Sequence, residues 1–368
     1  MIPANSPVSL PLDTIETTVS IPIETTVQEE KLVKKKVAPR LCLCYNNYVN
    51  HHCRDRRNNQ LQSDFSTFKP IRQYVGAKRQ TVALAVSLRR IGDRRWANVA
   101  NCSQALGVKY CASCGIAHVD VSWCCRHRLC GVCAIRRSRK TGKQAIDAFG
   151  YMQEQGQLAG ARLALLTLTQ RNVSGPDLAS EMDALLSAMQ SIRQVRDVRR
   201  HLLGSARNIE VTYNAVIRTY HPHVHMILIL SPDAPEEMSE MRYWRDLWRR
   251  LMHLNYDPIC DIRPIVDNEG AVCEVSKYCI KPSSIFGLSL SPSHLDQVVS
   301  TLNSVLAGRR LVSYTGIWRK ARQVLNQRDP DEDLEHDDSR DICGCGAALM
   351  DAVLRWDGLE YCVSPSPL

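Results

Sequence analysis

The sequence has none of the long apolar runs or basic leaders that mark membrane and secreted proteins. Apolar stretches such as 163–166 and 226–230 are far shorter than the roughly 20 residues of a membrane-spanning helix. The first 30 residues contain no Lys or Arg, so the basic start of a signal peptide is missing. We therefore expect a cytoplasmic protein without a membrane partner.

Acidic residues are fewer than basic residues, and the sequence contains no visible internal repeat. Lys and Arg number 47 against 38 Asp and Glu, which makes the formal net charge +9. This excess favours an anionic partner, and nucleic acid is the first candidate. The length of 368 residues favours about two domains, and 44% hydrophobic with 23% charged residues is typical of a soluble globular protein.

Cysteine, in contrast, is abundant. Without a secretion signal, the 16 cysteines are interpreted as metal ligands or free thiols rather than as disulfides. Cys111 and Cys114 form one Cys-x2-Cys pair, and Cys130 and Cys133 form a second after a gap of fifteen residues. This spacing predicts a structural zinc site, because four thiolates leave no open position for catalysis.

The number of candidate ligands around this site exceeds the four that one zinc ion needs. The gap holds three more of them, Cys124, Cys125 and His127. Either some are bystanders or a second metal is bound, and Cys125 is retained as an additional zinc candidate. The C-terminal tail resembles a degraded zinc ribbon with Cys343, Cys345 and Cys362. With three cysteines and imperfect spacing, its metal binding stays open.

Basic side chains surround the second cysteine pair, at Arg126, Arg128, Arg136, Arg137, Arg139 and Lys140. The run from Arg136 to Lys140 begins a predicted helix whose apolar residues Ile146, Phe149 and Met152 recur at helical spacing. We predict that these basic side chains contact DNA directly. A solvated basic helix is the alternative.

Three histidines occupy five residues of a strand-like segment, at His221, His223 and His225. Alternate side chains of a strand share a face, so His223 and His225 lie about 7 Å apart on one side and could bind one divalent ion. Glu210, in the preceding strand-like run, could add a carboxylate if the two runs form a hairpin. Such a mixed site suits Mg²⁺ or Mn²⁺ acting on phosphate. Satisfied core histidines and a surface salt bridge for Glu210 are the alternatives.

Glu274, Tyr278 and Lys281 share one face of a predicted short helix, at positions i, i+4 and i+7. A phenol can attack a phosphodiester, a carboxylate can act as general base, and Lys281 or Lys277 can stabilise phosphate charge. Because Glu, Tyr and Lys are common on exposed helices, this set gains weight only beside the histidine strand.

The predicted order of elements is strand, helix, strand, strand, helix, strand, which favours an α+β domain with an antiparallel sheet. Strands are expected at 161–169, 208–218, 223–230 and 259–266, and helices at 177–203, from 235, at 272–281 and at 294–306. Pro222 is expected to break the strand geometry at His221. Residues 41–100 are interpreted as irregular structure.

Four motifs in this order resemble the HUH endonucleases, and most closely the single-tyrosine, rolling-circle plasmid replication initiators. They are Leu-Thr-Leu-Thr (166–169), Glu-Val-Thr-Tyr-Asn (210–214), His-Pro-His-Val-His (221–225) and Glu-x3-Tyr-x2-Lys (274–281). The segments 125–137 and 308–316 are also similar to segments of that family. The resemblance covers roughly 105–325, and Cys-Gly-Val-Cys stands where the family has Cys-Pro-x-Cys.

The resemblance implies a ferredoxin-like or RRM-like antiparallel sheet with helices on one face, preceded by a small zinc-binding lobe. It implies that His223 and His225 bind a catalytic Mg²⁺ or Mn²⁺ and that Tyr278 is the nucleophile. Tyr278 would nick single-stranded or hairpin origin DNA, form a 5′-phosphotyrosine and leave a free 3′-OH. Glu274 would activate water to end replication, and Lys281 matches the lysine that follows the tyrosine. Host helicase and polymerase are candidate partners.

These readings divide the chain into a disordered tail (1–40), an uncertain region (41–104), a zinc lobe with a basic helix (105–145), the nuclease domain (146–325), an acidic linker (326–341) and a Cys-containing tail (342–368). Two other functions stay open. One is a transposase or relaxase of the same superfamily, and the other is a non-enzymatic, zinc-dependent DNA-binding regulator.

Overall fold

The computed structural model describes residues 69–114, 116–265, 283–287, 290–336 and 341–364, all within one compact unit, Gln60–Leu368. Its helices are α1 Lys69–Arg90, α2 Trp96–Ala100, α3 Gly131–Glu154, α4 Leu178–Ile192, α5 Arg196–His201, α6 Met241–Leu251, α7 Ser283–Phe286, α8 Pro292–Leu306 and α9 Gly316–Val324. Its strands are β1 Ala105–Tyr110, β2 Ala117–Ser122, β3 Arg162–Thr169, β4 Leu202–Asn214, β5 Thr219–Leu230, β6 Cys260–Pro264, β7 Val312–Thr315, β8 Met350–Trp356 and β9 Tyr361–Val363.

The larger sheet has five antiparallel strands in the order β6-β3-β5-β4-β7. Its centre is a hairpin of β4 and β5, which pairs Asn214 with Thr219 at a turn inside the expected strand 208–218. The Asn214 side-chain oxygen accepts hydrogen bonds from the backbone N–H groups of Val216 and Ile217, which is how asparagine stabilises a tight turn. The α+β class with an antiparallel sheet is confirmed.

Helices cover both faces of this sheet, so the expectation of helices on one face is wrong. In the apolar run 226–230, Leu228 joins the main core with α4, α6 and α8, whereas Ile229 packs with Phe149 of α3 and Trp318 of α9. A continuous apolar run is typical of a strand buried on both faces, since alternate residues point to opposite sides. At the histidine end of β5, partly buried histidines alternate with buried residues.

The N-terminal region also departs from expectation, because residues 69–90 form the long helix α1 rather than irregular structure. Its buried residues Ile71, Tyr74, Leu84 and Leu88 recur at helical spacing. Polar residues on the same buried face interrupt this pattern, namely Lys78, Thr81 and Ser87. These buried polar residues obscure the helical spacing of the apolar residues in the sequence.

A second sheet has the order β2-β1-β8-β9 and joins two distant parts of the chain. Strand β8 pairs with β1 from Tyr110 opposite Met350 to Ala105 opposite Arg355. The predicted C-terminal tail is thus an integral part of the lobe. The lobe is built from segments that precede and follow the strands of the larger sheet in sequence. Residues 330–333, within the predicted linker, form a 3-10 turn that packs against α3.

Two predicted boundaries shift for local reasons. The helix expected at 177–203 is interrupted at Val195, whose backbone is extended, and β4 begins at Leu202. Helix α3 runs from the lobe into the larger domain, across the predicted boundary at 145. Among the described residues, no helix is both long and apolar enough to cross a membrane.

Candidate functional site

Glu210, His223 and His225 come together on one face of the larger sheet. The Nε2 atoms of His223 and His225 lie 3.3 Å and 3.7 Å from the same carboxylate oxygen of Glu210. The candidate ligand atoms of all three residues lie within 4.8 Å of one another. Glu210 is buried, with a side chain that is 2% exposed, while the imidazoles are 12% and 13% exposed. A small ion could therefore reach the imidazoles from solvent.

The strand period accounts for this convergence. In the β4–β5 pairing, Glu210 lies opposite His223, and Asn208 lies opposite His225. On the other side of β5, Thr169 lies opposite His223, and Thr167 opposite His225. Residues opposite one another on antiparallel strands point to the same face, so one row of the sheet presents the three candidate ligands.

Hydrogen bonds at the far side of each ring orient the two imidazoles. The Nδ1 atom of His225 lies 3.2 Å from Thr167 Oγ1, and that of His223 lies 3.2 Å from the His221 carbonyl oxygen. The carbonyl can only accept, so the His223 Nδ1 donates this bond, and the His223 Nε2 faces the Glu210 carboxylate at 3.3 Å. Metal-binding histidines are typically held in this way.

His221 lies in the same strand but outside this group of candidate ligands. Its ring stacks on that of His223 with 5.4 Å between centroids, and burial together with the neighbouring His223 lowers the pKa of His221. The expectation that Pro222 breaks the strand is wrong, because β5 begins at Thr219 and pairs Pro222 with Val211. Glu274, Tyr278 and Lys281 lie outside the described residues.

The cysteines form two separate clusters instead of the single predicted site of Cys111, Cys114, Cys130 and Cys133. The inner cysteine cluster consists of Cys102, Cys125, Cys130 and Cys133. The outer cysteine cluster consists of Cys111, Cys114, Cys343 and Cys345. In each cluster the four sulfur atoms lie within 4.8 Å of one another. Each predicted Cys-x2-Cys pair therefore stays together, but the two pairs belong to different clusters.

The inner cysteine cluster is mostly buried and is built around the start of α3. Cys102 Sγ lies 3.6 Å from the sulfur atoms of both Cys130 and Cys133, and Cys125 Sγ lies 3.7 Å from that of Cys133. The additional candidate Cys125 thus belongs to the cluster, and Cys102, which sequence reasoning missed, completes it. Cys124 and His127 belong to neither cluster. Cys102 has no partner at Cys-x2-Cys spacing, so no local signal marked it.

A fully buried lysine accompanies the inner cysteine cluster. Lys78 is 0% exposed, and its Nζ donates hydrogen bonds to the carbonyl oxygens of Ala100 and Cys102, at 3.1 Å and 2.5 Å. Burial lowers the pKa of Lys78, while charge on Cys102, Cys130 and Cys125 acts in the opposite direction. A buried ammonium is costly unless negative charge lies nearby, and thiolates around a metal would supply that charge.

All six predicted DNA-binding residues contact other parts of the chain. Arg136 is 4% exposed and donates hydrogen bonds to the carbonyl oxygens of Leu334, Val119 and Asp120. This position corrects the expectation for Arg136, since a buried side chain that links lobe segments is structural. The other five make the contacts Arg126–Glu335, Arg137–Asp331, Lys140–Asp333, Arg128 to the Arg309 carbonyl and Arg139 to Gln73.

An open, arginine-rich cavity of about 510 Å³ lies beside β7 and α9. Its basic lining residues are Arg128, Arg137, Arg309, Arg310, Arg319 and Arg322. Val312 of β7 also lines it and lies opposite Asn208, which in turn lies opposite His225. Two strand spacings, about 10 Å, therefore separate Val312 from His225. Of the predicted DNA-binding set, Arg128 and Arg137 line this cavity.

Known proteins similar to this chain all carry replication names. A family model described as "Replication protein" matches residues 117–361. "Protein rep" of Lentilactobacillus hilgardii is 28% identical over 311 residues, covering 81% of this chain and 96% of the relative. "Protein rep" of Bacillus amyloliquefaciens is 29% identical over 286 residues, covering 70% and 83% respectively. No solved structure matches.

Proposed function

This chain belongs to the Rep family of plasmid replication initiators, and we propose that it starts rolling-circle replication by nicking one strand of the plasmid origin. The observation that carries the proposal is the Glu210–His223–His225 group, which brings two partly exposed imidazoles and a buried carboxylate to one point on the sheet. Plasmid origin DNA, which this family binds, contains the phosphodiester on which such a group could act. This affiliation favours an initiator over a transposase or relaxase.

The donor set fits a divalent cation that works on phosphate. Mixed imidazole and carboxylate ligands suit Mn²⁺ or Mg²⁺, and the hydrogen bond from His223 Nδ1 to the His221 carbonyl orients its Nε2 toward Glu210. When bound, the ion would polarise the scissile phosphate. The protein groups would hold it in place, with buried Glu210 supplying negative charge beside the Nε2 atoms of His223 and His225.

Tyr278 is the proposed nucleophile for strand cleavage. Its phenolic oxygen forms a bond to phosphorus, while the bond from phosphorus to the 3′ oxygen breaks. That oxygen leaves with its electron pair and takes up a proton, which yields a free 3′-OH and a 5′-phosphotyrosine. Glu274 acts as general base for the attack and later for water, and Lys281 stabilises the phosphate charge.

The arginine-rich cavity is the proposed path for the DNA backbone toward this centre. Arginines contact phosphates without regard to base sequence, so they would position the strand rather than recognise it. Arg310 and Arg319 line the cavity beside Arg128 and Arg137, within reach of a strand that crosses β7 toward His225. The inner cysteine cluster would hold one structural Zn²⁺ that fixes the start of α3, and buried Lys78 offsets its thiolate charge.

A covalent-capture assay tests the proposed nuclease. Purified protein is mixed with single-stranded DNA from the region around its own gene and with Mn²⁺ or Mg²⁺. It is then denatured, and its peptides are mapped by mass for attached nucleotide. We expect an adduct on Tyr278 that disappears with EDTA, in Tyr278→Phe and in His225→Ala.

His221→Ala is the matched control, because it removes an imidazole from the same strand and keeps the backbone carbonyl that orients His223. We expect this variant to form the adduct. If folded protein forms no adduct with any strand or either metal, the nucleophile assignment is wrong. The DNA-binding regulator would then be the better description.

A further inference from the structure

We propose that the outer cysteine cluster, Cys111, Cys114, Cys343 and Cys345, is a second structural zinc site that fastens the C-terminal segment of the chain to the lobe. This site goes beyond the proposed nicking function and does not depend on it. Its ligands come from two turns that lie far apart in sequence. Zn²⁺ would bind the four sulfurs as thiolates, and each thiol would lose its proton to solvent.

The distances between the sulfur atoms fit a tetrahedral zinc site. Cys114 Sγ lies 3.4 Å from Cys343 Sγ, and Cys111 Sγ lies 3.6 Å from Cys345 Sγ. Zn–S bonds of about 2.3 Å in a tetrahedron place the sulfurs about 3.8 Å apart. The observed contacts are much longer than the roughly 2.05 Å bond of a disulfide, and all four thiols are free.

Each pair of ligands lies on a hydrogen-bonded turn. The Cys111 N–H donates to the Ile116 carbonyl where β1 turns toward β2, and the Cys343 N–H donates to the Ala347 carbonyl just before β8. Gly346, with φ +87°, permits the second turn, since other residues rarely adopt that conformation. Both turns thus present paired sulfurs from a preorganised backbone.

The pairing of β1 with β8 brings the two turns together. Tyr110, directly before Cys111, lies opposite Met350, near the start of the C-terminal strand. The lobe sheet therefore holds both turns at one end, although the cysteine contacts span 229 and 234 residues of sequence. The larger sheet lies within that loop, so a metal here would tie together the two distant segments that form the lobe.

The exposure of two of the four cysteines makes it possible to test metal binding by chemical modification. Cys114 and Cys345 are exposed, whereas Cys111 and Cys343 are buried. Exposed free thiols react readily with alkylating reagents, but zinc-bound thiolates are protected until the metal is removed. The accessible half of the cluster therefore offers a direct chemical readout.

The first experiment counts zinc by native mass spectrometry of the full chain. We expect two zinc ions in the parent and one in the double variant Cys343→Ser/Cys345→Ser. Cys362→Ser is the matched control, because this cysteine lies in the same C-terminal hairpin but outside both clusters, and we expect it to keep two. A parent that binds no zinc, a double variant that keeps as many ions as the parent, or a Cys362→Ser protein that loses one would overturn the proposal.

The second experiment uses the parent protein alone, so it does not depend on the folding of a variant. The protein is treated with N-ethylmaleimide with and without a zinc chelator, and modified cysteines are mapped by mass. We expect Cys114 and Cys345 to be protected until the chelator is added. Equal modification of both thiols in the two samples would contradict the site, whatever the outcome of the nicking assay.

Discussion

At the residue scale, the site depends on which hydrogen bond each polar side chain makes. Thr167 and Thr169 are neighbours on the same face of β3, yet they differ in role. Thr167 Oγ1 lies 3.2 Å from the Nδ1 atom of His225, whereas Thr169 Oγ1 donates to the Ile259 carbonyl at 2.7 Å. Sequence pattern cannot distinguish them, because both belong to the same Leu-Thr-Leu-Thr run.

We expect Thr167→Val to weaken Mn²⁺ binding by roughly 10–100-fold, since loss of a partner that orients a ligand typically costs that much. Valine keeps the shape but cannot hold His225. Titration calorimetry with Mn²⁺ measures the change, and excess Mn²⁺ should restore nicking. Thr169→Val is the control and should bind Mn²⁺ like the parent. Equal affinities of the two variants would show that Thr167 does not position His225.

Lys78 provides a second test at this scale. We expect Lys78→Met to lower the free energy of unfolding by about 1–3 kcal/mol, because it leaves the buried carbonyls of Ala100 and Cys102 without their donor. Urea denaturation of the zinc-loaded protein measures this loss. Arg79→Met, at the adjacent and exposed position of α1, should change stability by no more than about 0.5 kcal/mol. An unchanged Lys78→Met protein would argue against a charged role for Lys78.

At the element scale, the acidic stretch 329–335 does not behave as a free linker. Asp331 pairs with Arg137 at 2.7 Å, and Asp333 pairs with Lys140 at 2.5 Å, along one side of α3. Asp331 and Asp333 therefore form ion pairs with two basic residues that the sequence analysis predicts to contact DNA. Phosphates and these carboxylates would compete for the same cations.

We expect Asp331→Asn/Asp333→Asn to bind single-stranded DNA more tightly and with a steeper salt dependence. Releasing two cations should steepen the slope of log K against log[salt] by up to about 1.4, at about 0.7 per single-strand phosphate contact. Fluorescence anisotropy at several salt concentrations measures both effects. Glu236→Gln/Asp351→Asn removes the same charge at exposed positions elsewhere. If the two double variants bind alike, net charge alone explains the change.

At the scale of the whole molecule, the lobe sheet is complete only when the C-terminal segment, residues 341–364, pairs with β1. Leu354, Trp356 and Tyr361 of that segment are buried in the core. The Tyr361 hydroxyl also donates a hydrogen bond to the Ser103 carbonyl at 2.7 Å. Removing the segment would expose an edge of β1 and part of the core together.

We expect a chain that ends at residue 340 to show faster hydrogen exchange in β1 and β2, while amides of β3, β4 and β5 stay protected. The reason is that the larger sheet keeps its full ladder and the separate core on its α3–α9 face, whereas β1 loses a paired strand. Hydrogen-exchange mass spectrometry measures this difference. A chain shortened only by residues 365–368 is the control. Equal loss of protection in both sheets would show that the lobe and the larger sheet unfold as one unit.

The sequence alone determined the features that depend on neighbouring residues. Strand period placed His223 and His225 on one face, and the preceding strand-like run carried Glu210, which the β4–β5 pairing brings opposite His223. Each Cys-x2-Cys pair was also recognisable, because both of its thiols lie on one turn. These are local properties, and the geometry of a strand or a turn enforces them.

Only the tertiary structure decided how distant pieces combine. It separated Cys111 and Cys114 from Cys130 and Cys133, because the pairing of β1 with β8 brings Cys343 and Cys345 to the first pair. Burial of Arg136 and the second layer of helices on the larger sheet were likewise invisible in short windows. Contacts between segments more than 200 residues apart depend on which sheet edge each strand joins, and that choice is made by packing of the whole core.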